Sequence, residues 1–173
     1  MHSRRASGFS MVELVITIAI VAILVALAFP SFEGSMRSNR VTTATNEMIA
    51  SLSLARMEAL RNPGGAGICA SSDGATCGDD WDAGWMVWID VDGNGAPGGT
   101  NDRVLRFTQG KRRTVVTVDS PDDAILFDNR GRADAAREIT IEPDECPSGQ
   151  QLIREIGVAL TGQARTTREA CGA

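Results

Sequence analysis

The chain has 173 residues, a formal net charge of −5 and a sequence pI near 4.9. That length leaves room for one modest soluble domain beside an N-terminal segment of about thirty residues. The acidic balance gives no global sign of a nucleic-acid protein, although a local basic patch is compatible with it. The single histidine is His2, so no Ser-His-Asp or Cys-His catalytic set exists beyond the first residues.

Residues 14–29 form an apolar run in which only Thr17 is polar. Its length approaches the shortest helix that crosses a bilayer, where ~20 apolar residues are typical. Glu13 stands at its N-terminal edge. A carboxylate in hydrocarbon is costly, so an acid there is a functional residue seeking a partner. In front lies a short basic leader with His2, Arg4 and Arg5. That charge bias keeps the leader cytoplasmic and sends the rest outward.

The order is Arg4-Arg5-Ala6-Ser7-Gly8, then Phe9-Ser10-Met11-Val12-Glu13-Leu14 and the apolar run. It resembles the class III signal of type IV pilins and type II secretion pseudopilins. The resemblance implies cleavage between Gly8 and Phe9 by a prepilin peptidase, which also methylates the new amino group on Phe9. It implies that Glu13 recognises that amine on a neighbouring subunit during assembly. Two other readings remain open. An ordinary secretory signal would be cut after Ala28, at Ala26-Leu27-Ala28. Against it stand Glu13 in the signal core and Pro30 just beyond the cut. The third reading is a plain membrane anchor.

Pro30 follows the apolar run without ending the helical pattern, and it is expected to kink the helix by removing one backbone hydrogen bond. Beyond it, Phe32, Met36, Ala44, Met48, Ile49, Leu52, Ala55, Ala59 and Leu60 recur mostly at three- and four-residue steps, one face of an amphipathic helix. Asn62-Pro63-Gly64-Gly65 stops it. A helix from about residue 9 to 61 would be ~80 Å long at 1.5 Å per residue.

After Gly65 the period changes to two. A short strand fits 68–70, and the strongest fits 84–91, with Trp85, Val87 and Ile89 on one face. A Gly-rich turn follows, and further strands fit 103–108, 114–118, 124–127, 137–141 and 152–160. Asp128-Asn129-Arg130-Gly131-Arg132 reads as a hairpin-like turn. The predicted class is α+β, a long N-terminal transmembrane and amphipathic helix packed on an antiparallel sheet domain, the pilin fold. The expected segments are the leader 1–8, the transmembrane and assembly helix 9–29, its amphipathic half 30–62, and a β-rich periplasmic or tip domain 63–173.

This second part resembles the FimT/FimU/GspH branch of pseudopilins. The shared features are Gly84-Trp85 leading to Asp90-Val91-Asp92-Gly93-Asn94-Gly95, then Phe127-x-x-x-Gly131-Arg132, then Ile156-Gly157-Val158-Ala159-Leu160. The resemblance implies a minor type IV pilin or pseudopilin, a structural subunit and not an enzyme, which primes assembly and sits at the fibre tip. It implies a single pass through the bacterial inner membrane. The implied partners are other major and minor pilins, the prepilin peptidase/methyltransferase, and a pilus or secretion assembly platform. The alternatives are a DNA-binding competence pilin and a minor pseudopilin of a type II secretion system.

Four cysteines, Cys69, Cys77, Cys146 and Cys171, follow the anchor and read as disulfides. Four allow three connectivities; local spacing favours Cys69 with Cys77, leaving Cys146 with Cys171. Asp79, Asp80 and Asp82 flank Trp81 and read as a solvated acidic loop. Asp90, Asp92 and Asn94, with Gly95 behind them, match the first half of a calcium loop. Asn101 stands where the bidentate acid belongs, with Asp102 one residue late, so the bland reading is a strand connection and no cofactor is expected. Basic residues gather at Lys111-Arg112-Arg113, at Arg130 and Arg132, and at Arg165 and Arg168. Such patches bind phosphates when they converge. The competence branch of the resembled family carries Gly-Arg-x-Arg near its C-terminus. This chain has Gly162-Gln163-Ala164-Arg165, with Gln163 replacing the first arginine, so DNA is a disfavoured partner and a solvated basic face the plainer reading.

Overall fold

The computed structural model describes residues 9–99, 101–122 and 124–172, and for 27–31 the backbone alone. The leader, with His2, Arg4, Arg5 and Gly8, lies outside the described residues. One helix, α1 (Met11–Ala59), precedes eight described strands. The Ser10 carbonyl accepts from Leu14 N at 3.1 Å, and Glu13 sits in the first turn, where a negative charge complements the helix dipole. The backbone stays helical through Pro30. At the far end, Asn62 Nδ2 donates to the Glu58 carbonyl at 2.7 Å, and Gly65 adopts φ +100°, a conformation open to glycine. The helix thus ends at the Asn-Pro-Gly-Gly stop.

The chain divides into two compact units, with the break between Met36 and Arg37. In the first, every described side chain from Phe9 to Ala26 is exposed. Among the described residues no helix is long and apolar enough to cross a membrane; the apolar run continues into 27–31, whose side chains lie outside the described set.

In the second unit α1 buries one stripe, Val41, Ala44, Met48, Leu52, Ala55 and Ala59. Their three- and four-residue steps keep them on a single face. Phe32, Met36 and Leu60, expected on that face, are exposed instead. The first two precede the unit boundary at Arg37, so the core stripe begins only with Val41. Fully burying a Met or Leu side chain contributes about 1.5–3 kcal/mol, and Met48 and Leu52 are sealed almost completely.

Two four-stranded sheets complete this unit where the sequence predicts one sheet region. The first contains β1 (Ala66–Ala70), β2 (Gly84–Ile89), β3 (Arg103–Gln109) and β5 (Ile125–Phe127), ordered β3-β2-β1-β5. The second contains β4 (Thr114–Val118), β6 (Arg137–Pro143), β7 (Ile153–Val158) and β8 (Ala164–Glu169), ordered β4-β6-β7-β8. Every pairing is antiparallel.

β2 departs from its predicted one-sided pattern, because all six of its residues are buried. It is an interior strand covered on both faces. Trp85 and Val87 join the main core with α1, while Met86 and Trp88 pack with Cys69, Ala124 and Leu126 in a second cluster. Trp88 explains Gly67: a Cβ there would lie 2.4 Å from the indole ring.

Candidate functional site

The N-terminal helix presents its chemistry outward. Phe9, Met11, Leu14, Ile16, Ile18 and Ile20 are each more than half exposed, and Glu13 is exposed among them. Apolar side chains surround the helix on all sides, a pattern that ordinarily belongs inside a membrane or a bundle of other helices.

The basic residues do not act as one free patch. Lys111 Nζ pairs with Glu47 Oε1 at 3.0 Å. Arg113 reaches Asp144 at 3.1 Å and Glu145 at 3.4 Å, and Arg37 reaches Glu145 at 2.7 Å. Arg132 grips Asp128, with Nη2 at 2.8 Å and Nε at 2.9 Å. The Asp128 carboxyl is held below the ordinary carboxylate range, chiefly by the Arg132 backbone amide and further by its side chain. Of the cations expected as a solvated face, Lys111, Arg113 and Arg132 thus hold acids. Arg130 is exposed on the same turn, and Arg165 and Arg168 lie on β8. An interval of three along a strand sends Arg165 and Arg168 to opposite faces of the sheet. Arg165 borders a cleft of about 430 Å³ between α1 and the β8 edge, lined also by Ile49, Ser53, Met57 and Val158.

Gly162 has a packing role. It is buried with φ +74°, and a Cβ there would come 2.0 Å from the Gly131 carbonyl oxygen. The close approach brings two turns together, 128–132 and 159–163. Arg56 clamps both from α1: Nε donates to Gly131 O at 2.9 Å and Nη2 to Thr161 O at 3.1 Å. Helical periodicity places Arg56 off the apolar face of α1 and does not mark it as a clamp. Its only signal is an arginine in the last turn, where it also suits the helix dipole.

The acidic loops are tied down. Asp82 accepts a short hydrogen bond from Val116 N, and Asp80 accepts from Asp82 N at 3.0 Å. Asp79, Asp80 and Asp82 are exposed as expected, yet two of them shape the chain. Asp90, Asp92 and Asp102 bring one carboxylate oxygen each within 4.8 Å of one another. The third acid is therefore Asp102, with Asn94 turned to the loop: Asn94 Oδ1 accepts from Ala96 N at 2.7 Å. Asp90 accepts from Gly93 N at 2.7 Å and Gly95 N at 2.8 Å, and Asp102 from Val91 N and Gly99 N, both at 2.8 Å. Carboxylates so engaged organise a strand connection.

Two disulfides close the chain, Cys69–Cys77 beside β1 and Cys146–Cys171 at the C-terminus. Cys171 N also donates to Gln150 O at 2.8 Å, and its carbonyl accepts from Gly149 N at 2.9 Å.

Residues 44–162 match the model of the family described as type II transport protein GspH. The chain belongs to the GspH family. Residues 3–29 match the prokaryotic N-terminal methylation motif, which takes in Gly8, Phe9 and Glu13. A GspH-family chain with this motif is a minor pilin or pseudopilin, a structural class of subunit. Crystal structures of the type IV minor pilin FimU from Pseudomonas aeruginosa strain PAO1 share the fold. One is 20% identical with a TM-score of 0.57, over 78% of this chain and 96% of FimU. A second crystal form gives 19%, 0.54, 76% and 99% respectively. No curated protein matches the chain.

Proposed function

We propose that this GspH-family chain is cut after Gly8, methylated at Phe9, and built into a fibre as the minor subunit that primes assembly and sits at the tip. The observation that carries this reading is the helix from Phe9 to Ala26, apolar on every side and exposed throughout its own chain. First the inner membrane covers it, in a single pass with the C-terminal domain in the periplasm. Later the helices of other major and minor pilins cover it within the fibre. Glu13 then pairs with the methylated amine of a neighbouring subunit, which offsets the cost of burying its charge. The prepilin peptidase/methyltransferase and the assembly platform are the transient partners.

The test is Glu13→Ala. The variant is expected to insert in the membrane at the normal level and to be missing from sheared fibres. Normal recovery of the variant in fibres overturns the role of Glu13 in assembly.

The family description names type II transport and the similar solved structure is a type IV minor pilin, so the comparisons support the pseudopilus of a type II secretion system and an extended pilus alike. Deletion of the gene decides between them: the secretion reading requires that folded cargo accumulate in the periplasm. DNA uptake draws no support from the arginines. Arg132 is paired, and Arg165 and Arg168 alternate across β8.

A further inference from the structure

Arg154 is the buried cation of the β-sheet domain. It is 6% exposed and lies on the inward face of β7, in alternation with the buried Ile156 and Val158. Its Nη1 donates to the backbone carbonyls of Gln151 and Ile153, both at 3.0 Å. No carboxylate among the described residues pairs with it. Directly opposite in the antiparallel register stands Arg168 on β8. Directly opposed residues share a face, with Cβ atoms roughly 4.5–5.5 Å apart. Arg168 is exposed, and it too has no acid partner among the described residues. Burial and the neighbouring Arg168 charge both lower the Arg154 guanidinium from its ordinary value.

Two like charges side by side, one nearly buried, are unfavourable without a counter-ion. Glu47, Glu58, Asp128, Asp144 and Glu145 each hold another cation, which leaves this pair open to a counter-charge from outside.

We infer that Arg154 and Arg168 form a binding site for a carboxylate on an extended acidic segment of a neighbouring protein subunit. The inference rests on the reading of the chain as an assembly subunit. Two observations favour a protein carboxylate over a nucleic-acid phosphate. One member of the pair is recessed, so a single anionic side chain reaches it more readily than a stiff backbone of phosphates. And β8 is the outer strand of its sheet, all six residues exposed, with one edge unpaired among the described residues. Such an edge accepts the backbone of an extended segment while the arginines accept its side chain.

The experiment is a titration of the ¹⁵N-labelled full chain in detergent micelles with an alternating Glu-Val peptide, blocked at both ends. The arginine Nε–H resonances of Arg154 and Arg168 are expected to shift together and to saturate. The matching Gln-Val peptide should leave them in place. Since Arg154 is buried, the variants tested are at exposed Arg168: Arg168→Gln should weaken the peptide by about tenfold, and Arg168→Lys by less, a charge-assisted bidentate contact being the stronger one. No saturable shift with the Glu-Val peptide, equal binding of the Gln-Val peptide, or an unchanged affinity in Arg168→Gln each overturns the inference. So does a tighter response to inorganic phosphate or to a single-stranded oligonucleotide, which would make the pair a phosphate site. The titration needs no fibre, so its failure leaves the Glu13 experiment untouched, and the reverse holds as well.

Discussion

Arg56 Nε donates to the Gly131 carbonyl oxygen at 2.9 Å, and that same oxygen would lie 2.0 Å from any Cβ placed on Gly162. One helix residue thus fastens two turns that only glycines let approach. Hydrogen bonds to a charged group contribute about 1.5–3 kcal/mol. Arg56→Ala is expected to lower the unfolding free energy by about 2 kcal/mol, a central value discounted for partial exposure. Gly162→Ala should cost more than about 1 kcal/mol, because both the φ and the space are wrong for a side chain. Urea titration of each variant checks both values. An unchanged midpoint for Gly162→Ala would contradict the packing role.

Trp85 Nε1 donates to Ser51 Oγ at 3.0 Å, and both residues are buried. Ser51→Ala leaves the indole N–H without its partner, at a cost of about 1–3 kcal/mol. Trp85→Phe removes the donor as well. A double-mutant cycle should therefore show the pair of changes costing less than the sum of the two single ones. Strict additivity would mean that the bond contributes nothing.

The disulfide Cys146–Cys171 closes a loop with a sequence separation of 25. In the chain-entropy model a loop of that size contributes on the order of 3 kcal/mol. The paired change Cys146→Ser with Cys171→Ser should lower stability by that order and free the C-terminal residues to exchange. Non-reducing peptide mapping checks the pairing itself, and a Cys69 peptide linked to Cys146 or Cys171 would contradict it.

Glu138 on β6 has its carboxyl raised above the ordinary value, first by a hydrogen bond shared with Glu155 and then by that residue's charge, with Asp119 adding to it. The sign follows from linkage. A group whose folded value is raised contributes stability below its unfolded value and loses it as pH rises through the folded one. Near pH 7 the pair repels instead. Glu138→Gln should raise the melting temperature at pH 7 and lose that advantage below pH ~4, near the unfolded glutamate value. Thermal scans at the two pH values check it. A destabilised variant at pH 7 would overturn the account.

Processing is read by intact mass. The mature chain should begin at N-methylated Phe9, and replacing Gly8 by a bulky residue should leave the leader attached. A mature start at Phe29 would establish an ordinary secretory signal instead.

Much of this protein is legible in its residues alone, because the signals are local. The order Gly8-Phe9 to Glu13, the apolar run behind it and the Asn62-Pro63-Gly64-Gly65 stop are contiguous, and α1 ends where they place its end. Alternation of apolar and polar residues finds β4 to the residue, at Thr114–Val118. It fails for β8, whose Ala-Arg-Thr-Thr-Arg-Glu has no apolar face to announce it. That strand exists because its backbone pairs with β7, a partner the sequence does not adjoin in pattern or chemistry.

What the tertiary structure alone decided is the set of relationships between distant segments. Two sheets form, since β5 returns to β1 while β4 pairs with β6. Lys111, Arg113 and Arg132 find acids, so three of the seven cations of an apparent basic patch are neutralised where residue counting would leave them open. Arg56, an unremarked helix residue, holds two turns. Arg154 and Arg168 meet without an acid because register sets them opposite each other. Local pattern records which side chains favour water and which avoid it. It carries no record of the register in which strands pair, and register is what chooses each charge its neighbour.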